Sequence, residues 1–187
     1  MIIILEGADN SGKSTLANRL ASDLNLEVCH PGGPPKNIAE ALARCVEQDA
    51  IFDLCTEVNF IYDRVTCISD MIYRGKKQYH NVFVKFMEKI RLKPNVLVVY
   101  CRLSNERLTN FDDHVMQDHE DEAVVQHAKD NVGRIIAEYD SLLYSMQLDK
   151  HFYFFVYNFE TDEDSESYKE LRSLIIDGLD QYETTKL

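Results

Sequence analysis

Hydrophobic residues along this chain fall in short continuous runs, separated by longer segments of helical period. The runs are rich in β-branched and aromatic side chains, which is typical of strands buried on both faces. They predict five strands, at residues 2–5, 26–29, 58–62, 96–100 and 152–157. The periodic segments predict six helices, at residues 15–24, 38–47, 68–73, 79–92, 122–146 and 168–182, with Pro94 as a stop before the fourth strand. This alternation indicates an α/β fold in which helices cover both faces of a parallel sheet.

The segment between the first strand and the first helix has the pattern GxxxxGK[ST], from Gly7 to Thr15. Its glycines allow the backbone to curl so that successive N–H groups point inward at a triphosphate. Lys13 can reach the β- and γ-phosphates, and the Ser14 hydroxyl can ligate Mg²⁺. The positive end of the following helix dipole faces the same anions. We therefore predict a nucleotide-binding loop, against the alternative of a turn that only joins a strand to a helix.

A second pair of polar residues follows the third predicted strand, where Asp63 and Arg64 stand at its carboxyl end. In a parallel sheet this end lies on the same rim as the loop after the first strand. Asp63 could hold Mg²⁺ through water or position Arg64, whose planar guanidinium suits a bidentate contact with a phosphate. The alternative is a surface ion pair at a strand end.

Composition limits the partners of the chain. Its 187 residues fit a single domain, and 32 acidic against 20 basic residues give a net charge of −12. The negative electrostatic field of such a chain repels a polyanion, so a long nucleic-acid partner is disfavoured. A small cationic pocket could still bind a few phosphates. We find no long apolar run and no basic leader with a cleavage site, and we expect a cytoplasmic protein without membrane insertion. Five cysteines without CxxC spacing favour reduced thiols over disulfides or a zinc site.

Several stretches together carry a family resemblance. In chain order they are EGADNSGKST at residues 6–15, Pro31-Gly32-Gly33, Asp63-Arg64 with Ser69 and Tyr73 behind it, and PNVLVVYCRLSNER at residues 94–107. The chain resembles the thymidylate kinases among the P-loop nucleoside monophosphate kinases, as a divergent, phage-type member. The phosphate loop is the most specific part of the likeness.

The resemblance implies a three-layer P-loop kinase fold with a five-stranded parallel sheet and a short lid at about residues 104–122, all in one domain spanning residues 1–187. It implies transfer of the γ-phosphate of ATP to a deoxynucleoside monophosphate, with dTMP giving dTDP, and Mg²⁺ as the metal. Because thymidylate kinases commonly dimerise, a homodimer is an expectation to test.

The resemblance also implies roles for individual residues. Donor ATP would contact Gly7, Asn10, Ser11, Gly12, Lys13, Ser14, Thr15 and Arg107. The acceptor would contact Asp9, Arg44, Arg64, Ser69 and Tyr73. Catalytic roles would fall to Lys13, Arg64 and Asp9, and the metal to Ser14 and Asp63. The alternatives are that Asp9 only rigidifies the loop, that Arg44 is solvated, that Arg107 forms a salt bridge, and that Ser69 and Tyr73 serve capping and packing.

Several positions depart from the family pattern, among them Tyr100 and Cys101, which end the fourth strand where an acid is usual. Cys29 and His30 stand where the family has arginine and glutamate, and Glu40 stands where it offers an aromatic for base stacking. The acceptor base is therefore open, and another or a base-modified deoxynucleoside monophosphate is an alternative. A deoxynucleoside kinase would need a base to deprotonate a sugar hydroxyl and favours a glutamate-arginine pair where this chain has Asp63-Arg64. A nucleotide-binding switch without catalysis is the remaining alternative.

Overall fold

The computed structural model describes residues 1–33, 35–54, 58–74, 80–93, 95–102, 122–147, 153–158 and 165–184. The predicted lid at residues 104–122, with Arg107, lies outside this part of the chain except for Glu122. Pro94, predicted to stop a helix, also lies outside it. Among the helices that the structure describes, none is long and apolar enough to span a bilayer.

Strands and helices alternate along the chain. Within the described ranges there are five strands, β1 (Ile2–Glu6), β2 (Glu27–Cys29), β3 (Phe60–Asp63), β4 (Val96–Arg102) and β5 (Tyr153–Asn158). The same part of the chain has six helices, α1 (Lys13–Leu24), α2 (Ile38–Leu54), α3 (Thr66–Arg74), α4 (His80–Arg91), α5 (Glu122–Gln147) and α6 (Glu166–Thr184). The predicted α/β class is confirmed.

All five strands are parallel and lie in the order β2-β3-β1-β4-β5. Each residue of β1 is buried, because the strand has a neighbour on both edges and helices on both faces. Ile2 and Ile4 point into the core beneath α2, α3, α4 and α5, and Ile3 and Leu5 point into the core beneath α1 and α6. A continuous apolar run is the pattern that such a doubly covered strand requires.

Element boundaries lie within two residues of the predicted ones, except at the end of α2. Helix α2 continues to Leu54 rather than ending at residue 47, because Phe52 packs its ring against Tyr62 and Phe86 in the core. Strand β3 begins at Phe60 rather than at residue 58, and Val58 is exposed. The shift places Asp63 inside the strand, as its last residue.

The register of the sheet brings the predicted site to one rim. Leu5 of β1 lies opposite Asp63 of β3, and Glu6 lies opposite Tyr100 of β4. The segments that leave β1 and β3 therefore start side by side. This is the geometry that the sequence predicted for the loop and for Arg64.

Candidate functional site

The loop between β1 and α1 depends on backbone conformations that suit glycine. Gly7 has φ +150°, and a Cβ built on it would lie 2.3 Å from the carbonyl oxygen of Cys101. Gly12 has φ 80°, and Asn10 adopts the left-handed region at φ 62°. Because Gly12 is the N-cap of α1 and has no side chain, it leaves the first N–H groups of that helix open to an anion.

Lys13 is buried within this loop. Its Nζ donates to the carbonyl oxygen of Ala8 at 2.5 Å and to Ser11 Oγ at 3.2 Å. Burial and the nearby Arg64 guanidinium lower the pKa of Lys13 to about 8. The ammonium is thus held at the centre of the loop, beside the start of α1.

Asp63, the last residue of β3, contacts the phosphate loop through Ser14. Its Oδ2 accepts a hydrogen bond from Ser14 Oγ at 3.1 Å and lies 3.2 Å from Nδ1 of the exposed His30. Within the described ranges, no cluster of three or more histidine, cysteine, aspartate or glutamate side chains is placed to hold a metal ion. The Ser14 and Asp63 oxygens nevertheless fit Mg²⁺, which usually takes one or two protein oxygens and completes its shell with phosphates and water.

Arg64 reaches back over the phosphate loop. Its Nη2 donates to Asp9 Oδ1 at 2.7 Å and to the carbonyl oxygen of Gly7 at 3.5 Å. Burial alone would raise the pKa of Asp9, but Arg64 and Lys13 hold it at about 2. Arg64 itself adopts φ 77°, an uncommon conformation for a residue with a side chain.

Helix α3 contributes Tyr73 to the same place. The Tyr73 hydroxyl accepts a hydrogen bond from the Asp9 backbone N–H at 2.7 Å, and the Arg64 guanidinium carbon lies 5.4 Å from the ring centre. Ser69 is buried, and its Oγ donates to the carbonyl oxygen of Val65, the residue just before α3. The structure thus brings Tyr73 to Asp9 and Arg64, whereas the Ser69 hydroxyl donates to a backbone carbonyl just before α3.

Arg44 contacts the turn after β2. Its guanidinium donates to the carbonyl oxygens of Pro31 and Gly33 and to Glu40 Oε1. Arg74 at the end of α3 donates to the carbonyl oxygen of Pro35 in the same segment. Arg44, a predicted site residue, therefore contacts the Pro-Gly-Gly turn directly, and Arg74, which was not predicted, contacts the segment after it.

Sequence reasoning missed Glu6 and Tyr139. Glu6 ends β1 and is completely buried, and burial raises the pKa of its carboxyl group to about 7. It accepts hydrogen bonds from the Val65 backbone N–H and from the Tyr139 hydroxyl. A charged residue that ends an apolar run was the available signal for Glu6. Tyr139 lies within the amphipathic pattern of α5, which marks it only as a core residue.

No protein-family model matches this sequence, and no curated protein matches it by sequence. Solved structures do match. The YorR protein from Bacillus subtilis, solved in complex with phosphorylated GDP, aligns with a TM-score of 0.61 and 20% identity over 98% of each chain. Thymidylate kinase from Candida albicans aligns with a TM-score of 0.58 and 18% identity over 97% of this chain and 92% of its own. Deoxyadenosine kinase from M. mycoides with bound dATP aligns with a TM-score of 0.55 and 17% identity over 96% of this chain and 100% of its own.

The chain has the P-loop kinase fold. The predicted fold is therefore confirmed in its parallel sheet and its flanking helices. In this P-loop kinase fold, the loop after β1 and the segment after β3 meet at one rim, with the buried cation Lys13 and the partly exposed cation Arg64 beside it. Such an arrangement can neutralise two phosphate groups that approach each other.

Proposed function

We propose that this chain transfers the γ-phosphate of ATP to a deoxynucleoside monophosphate, with dTMP, giving dTDP, as the leading acceptor. The observation that carries the proposal is the contact of the Arg64 guanidinium with both Gly7 and Asp9. It joins the candidate acceptor site directly to the phosphate loop. A donor and an acceptor bound to these two segments would lie end to end.

The donor side of the proposal is the loop itself. Its backbone amides and Lys13 would bind the phosphates of ATP, with contacts from Gly7, Asn10, Ser11, Gly12, Ser14 and Thr15. Mg²⁺, held by Ser14 and by Asp63 through water, would neutralise charge on the phosphates. Arg107 is part of the proposal from the resemblance alone.

The acceptor side is built around Arg64. The guanidinium would exchange its partner Asp9 for the acceptor phosphate, which carries more charge than a carboxylate. Asp9 would then accept a hydrogen bond from the sugar, beside Tyr73. Arg44 fits the proposal as the residue that fixes the turn next to the acceptor.

The proposed reaction is a direct in-line transfer. An oxygen of the acceptor phosphate attacks the γ-phosphorus, and the bond to the β-γ bridging oxygen breaks, so that ADP leaves. The attacking oxygen is already anionic and needs no general base. Positioning and charge neutralisation by Lys13 and Arg64 are therefore the main contributions of the protein.

The deciding experiment is an ATP-consumption assay with a panel of acceptors. The panel contains ribo- and deoxynucleoside monophosphates, base-modified monophosphates, and the corresponding nucleosides, with Lys13→Ala protein as the control. We expect turnover with one or more deoxynucleoside monophosphates and none with nucleosides. Turnover of nucleosides alone would indicate a deoxynucleoside kinase, and tight ATP binding without any turnover would indicate a nucleotide switch. The homodimer, the single domain and the cytoplasmic location stay predictions.

A further inference from the structure

Two successive backbone N–H groups on either side of the Arg64 Cα are both held by the end of β1. The Arg64 N–H donates to the carbonyl oxygen of Leu5 at 3.0 Å and shares this interaction with the Tyr62 carbonyl oxygen at 3.1 Å. The Val65 N–H donates to Glu6 Oε1 at 2.5 Å. Of the two acceptors in β1, one is backbone and the other is a side chain. The two peptide planes that define the left-handed conformation of Arg64 are thus fixed by neighbouring residues of a single strand.

The Glu6 carboxylate is itself held from both sides. Its side chain is completely buried, and its second oxygen accepts a hydrogen bond from the Tyr139 hydroxyl of α5 at 3.2 Å. The Tyr139 ring stacks on Tyr100 at 6.1 Å and meets Tyr73 edge to face at 6.5 Å. The carboxylate therefore has a fixed position relative to both the sheet and α3.

We propose that Glu6 is a positioning residue, which keeps Arg64 in its left-handed conformation and so directs the guanidinium to the acceptor phosphate. The inference rests on the proposed function for the identity of that phosphate. Without the Glu6 oxygen, the Val65 N–H would be buried and unpaired, and Arg64 would relax toward the negative φ that residues with a Cβ favour. The guanidinium would then turn away from Gly7 and Asp9.

The test compares substitutions that separate the length of the side chain from its chemical type. Glu6→Asp keeps a carboxyl group but withdraws the oxygen from the Val65 N–H, whereas Glu6→Gln keeps an oxygen within reach of it. Gln48→Ala is the matched control, because Gln48 Oε1 accepts from the backbone N–H of the next residue, Thr66, at 2.9 Å. Gln48→Ala removes the same kind of buried hydrogen bond, together with the one from Gln48 Nε2 to Thr66 Oγ1, without touching either peptide plane of Arg64.

We expect Glu6→Asp to lower kcat/KM for the acceptor by about 10²-fold, the loss that a misplacement of about 1 Å can cause. The Kd of ATP should not change, and Glu6→Gln should recover most of the lost kcat/KM. Gln48→Ala should lower Tm without raising the acceptor KM. In an Arg64→Ala background, Glu6→Asp should have little further effect on kcat/KM, because the two residues act as a unit.

A wild-type kcat/KM for the acceptor in folded Glu6→Asp, additive losses with Arg64→Ala, or an equal fall in kcat/KM in Gln48→Ala would overturn the proposal. A crystal structure of Glu6→Asp gives a readout that needs no activity, since Arg64 should have a negative φ there and an unchanged φ would contradict us. That readout separates this inference from the proposed function, which the wild-type acceptor assay tests. If Glu6→Asp does not fold, Tyr139→Phe loosens the same carboxylate and should raise the acceptor KM by a smaller factor, and an unchanged KM would count against the proposal.

Discussion

The two halves of the candidate site are built in different ways. In the phosphate loop, Lys13 contacts Ala8 and Ser11, which lie five and two residues away along the chain. On the acceptor side, Arg64 contacts Asp9 across 55 residues. The donor half therefore depends mostly on a local stretch of sequence, whereas the acceptor half exists only once the sheet has formed. Substitutions should separate the two halves, because each affects one ligand more than the other.

Arg64→Ala should have the largest effect, and it should be confined to the acceptor half. Positioned arginines in P-loop enzymes contribute about 10³ to 10⁵ in rate, so we expect turnover to fall by that factor. ATP should still bind, because the phosphate loop remains intact. Steady-state kinetics together with an ATP titration measure both outcomes.

Arg172→Ala is the control for that experiment, since Arg172 lies on α6 and pairs with Asp23 at 3.9 Å. Near-normal turnover of Arg64→Ala would show that the acceptor phosphate binds elsewhere.

Gly7→Ala tests the donor half. The new Cβ would lie 2.3 Å from the Cys101 carbonyl oxygen, and a backbone atom cannot move aside as a flexible side chain can. We expect a loss of about 2 kcal/mol in the free energy of unfolding and weaker ATP binding. Denaturant titration and calorimetry measure the two quantities.

Gly133→Ala is the paired control, because nothing lies within 4 Å of a Cβ at this helical position. It should gain about 0.5 to 1 kcal/mol, as alanine usually does over glycine in a helix. If Gly7→Ala had the same free energy of unfolding as Gly133→Ala, Gly7 could not lie as close to the Cys101 carbonyl oxygen of β4 as the structure places it.

The pH dependence of ATP binding tests the same half without a substitution. Burial and Arg64 lower the pKa of Lys13 to about 8, and only its protonated form attracts phosphate. ATP affinity should therefore be constant below that pH and fall by up to about tenfold per unit above it. Calorimetry between pH 7 and 9.5 follows the change. Lys13→Arg should abolish this dependence, because arginine stays charged throughout, and a sloping profile in that variant would assign the titration to another group.

Tyr73→Phe tests the acceptor half again and should have the smallest effect of these substitutions. It removes the hydroxyl that accepts from the Asp9 N–H, which should cost about 1 kcal/mol of stability. We expect the acceptor KM to rise severalfold and the Kd of ATP to stay unchanged. Equal changes in both constants would mean that Tyr73 supports the loop rather than the acceptor.

The sequence predicted the regular parts of the molecule well because their signals are local. Apolar runs identified the strands, and the glycine pattern identified the loop. Parallel strands place their carboxyl ends on one rim, so the meeting of Arg64 with the loop could also be predicted. The hydrogen bonds of Glu6 could not, because one partner lies 133 residues away on α5. The contacts of Arg44 with carbonyl oxygens could not be predicted either, because every turn has carbonyl oxygens and the sequence does not show which of them an arginine contacts.

The strand order has a consequence for how the protein opens. The phosphate loop follows β1, which is hydrogen-bonded to a neighbouring strand on each side. His30 and the Pro-Gly-Gly turn follow β2, a three-residue strand at the edge of the sheet. Amide protons of a central buried strand exchange with solvent only when the whole sheet unfolds, but those of a short edge strand exchange through local fluctuations. The loop after β1 therefore starts from the most slowly exchanging part of the sheet, while the turn after β2 starts from a strand whose amide protons exchange through local fluctuations.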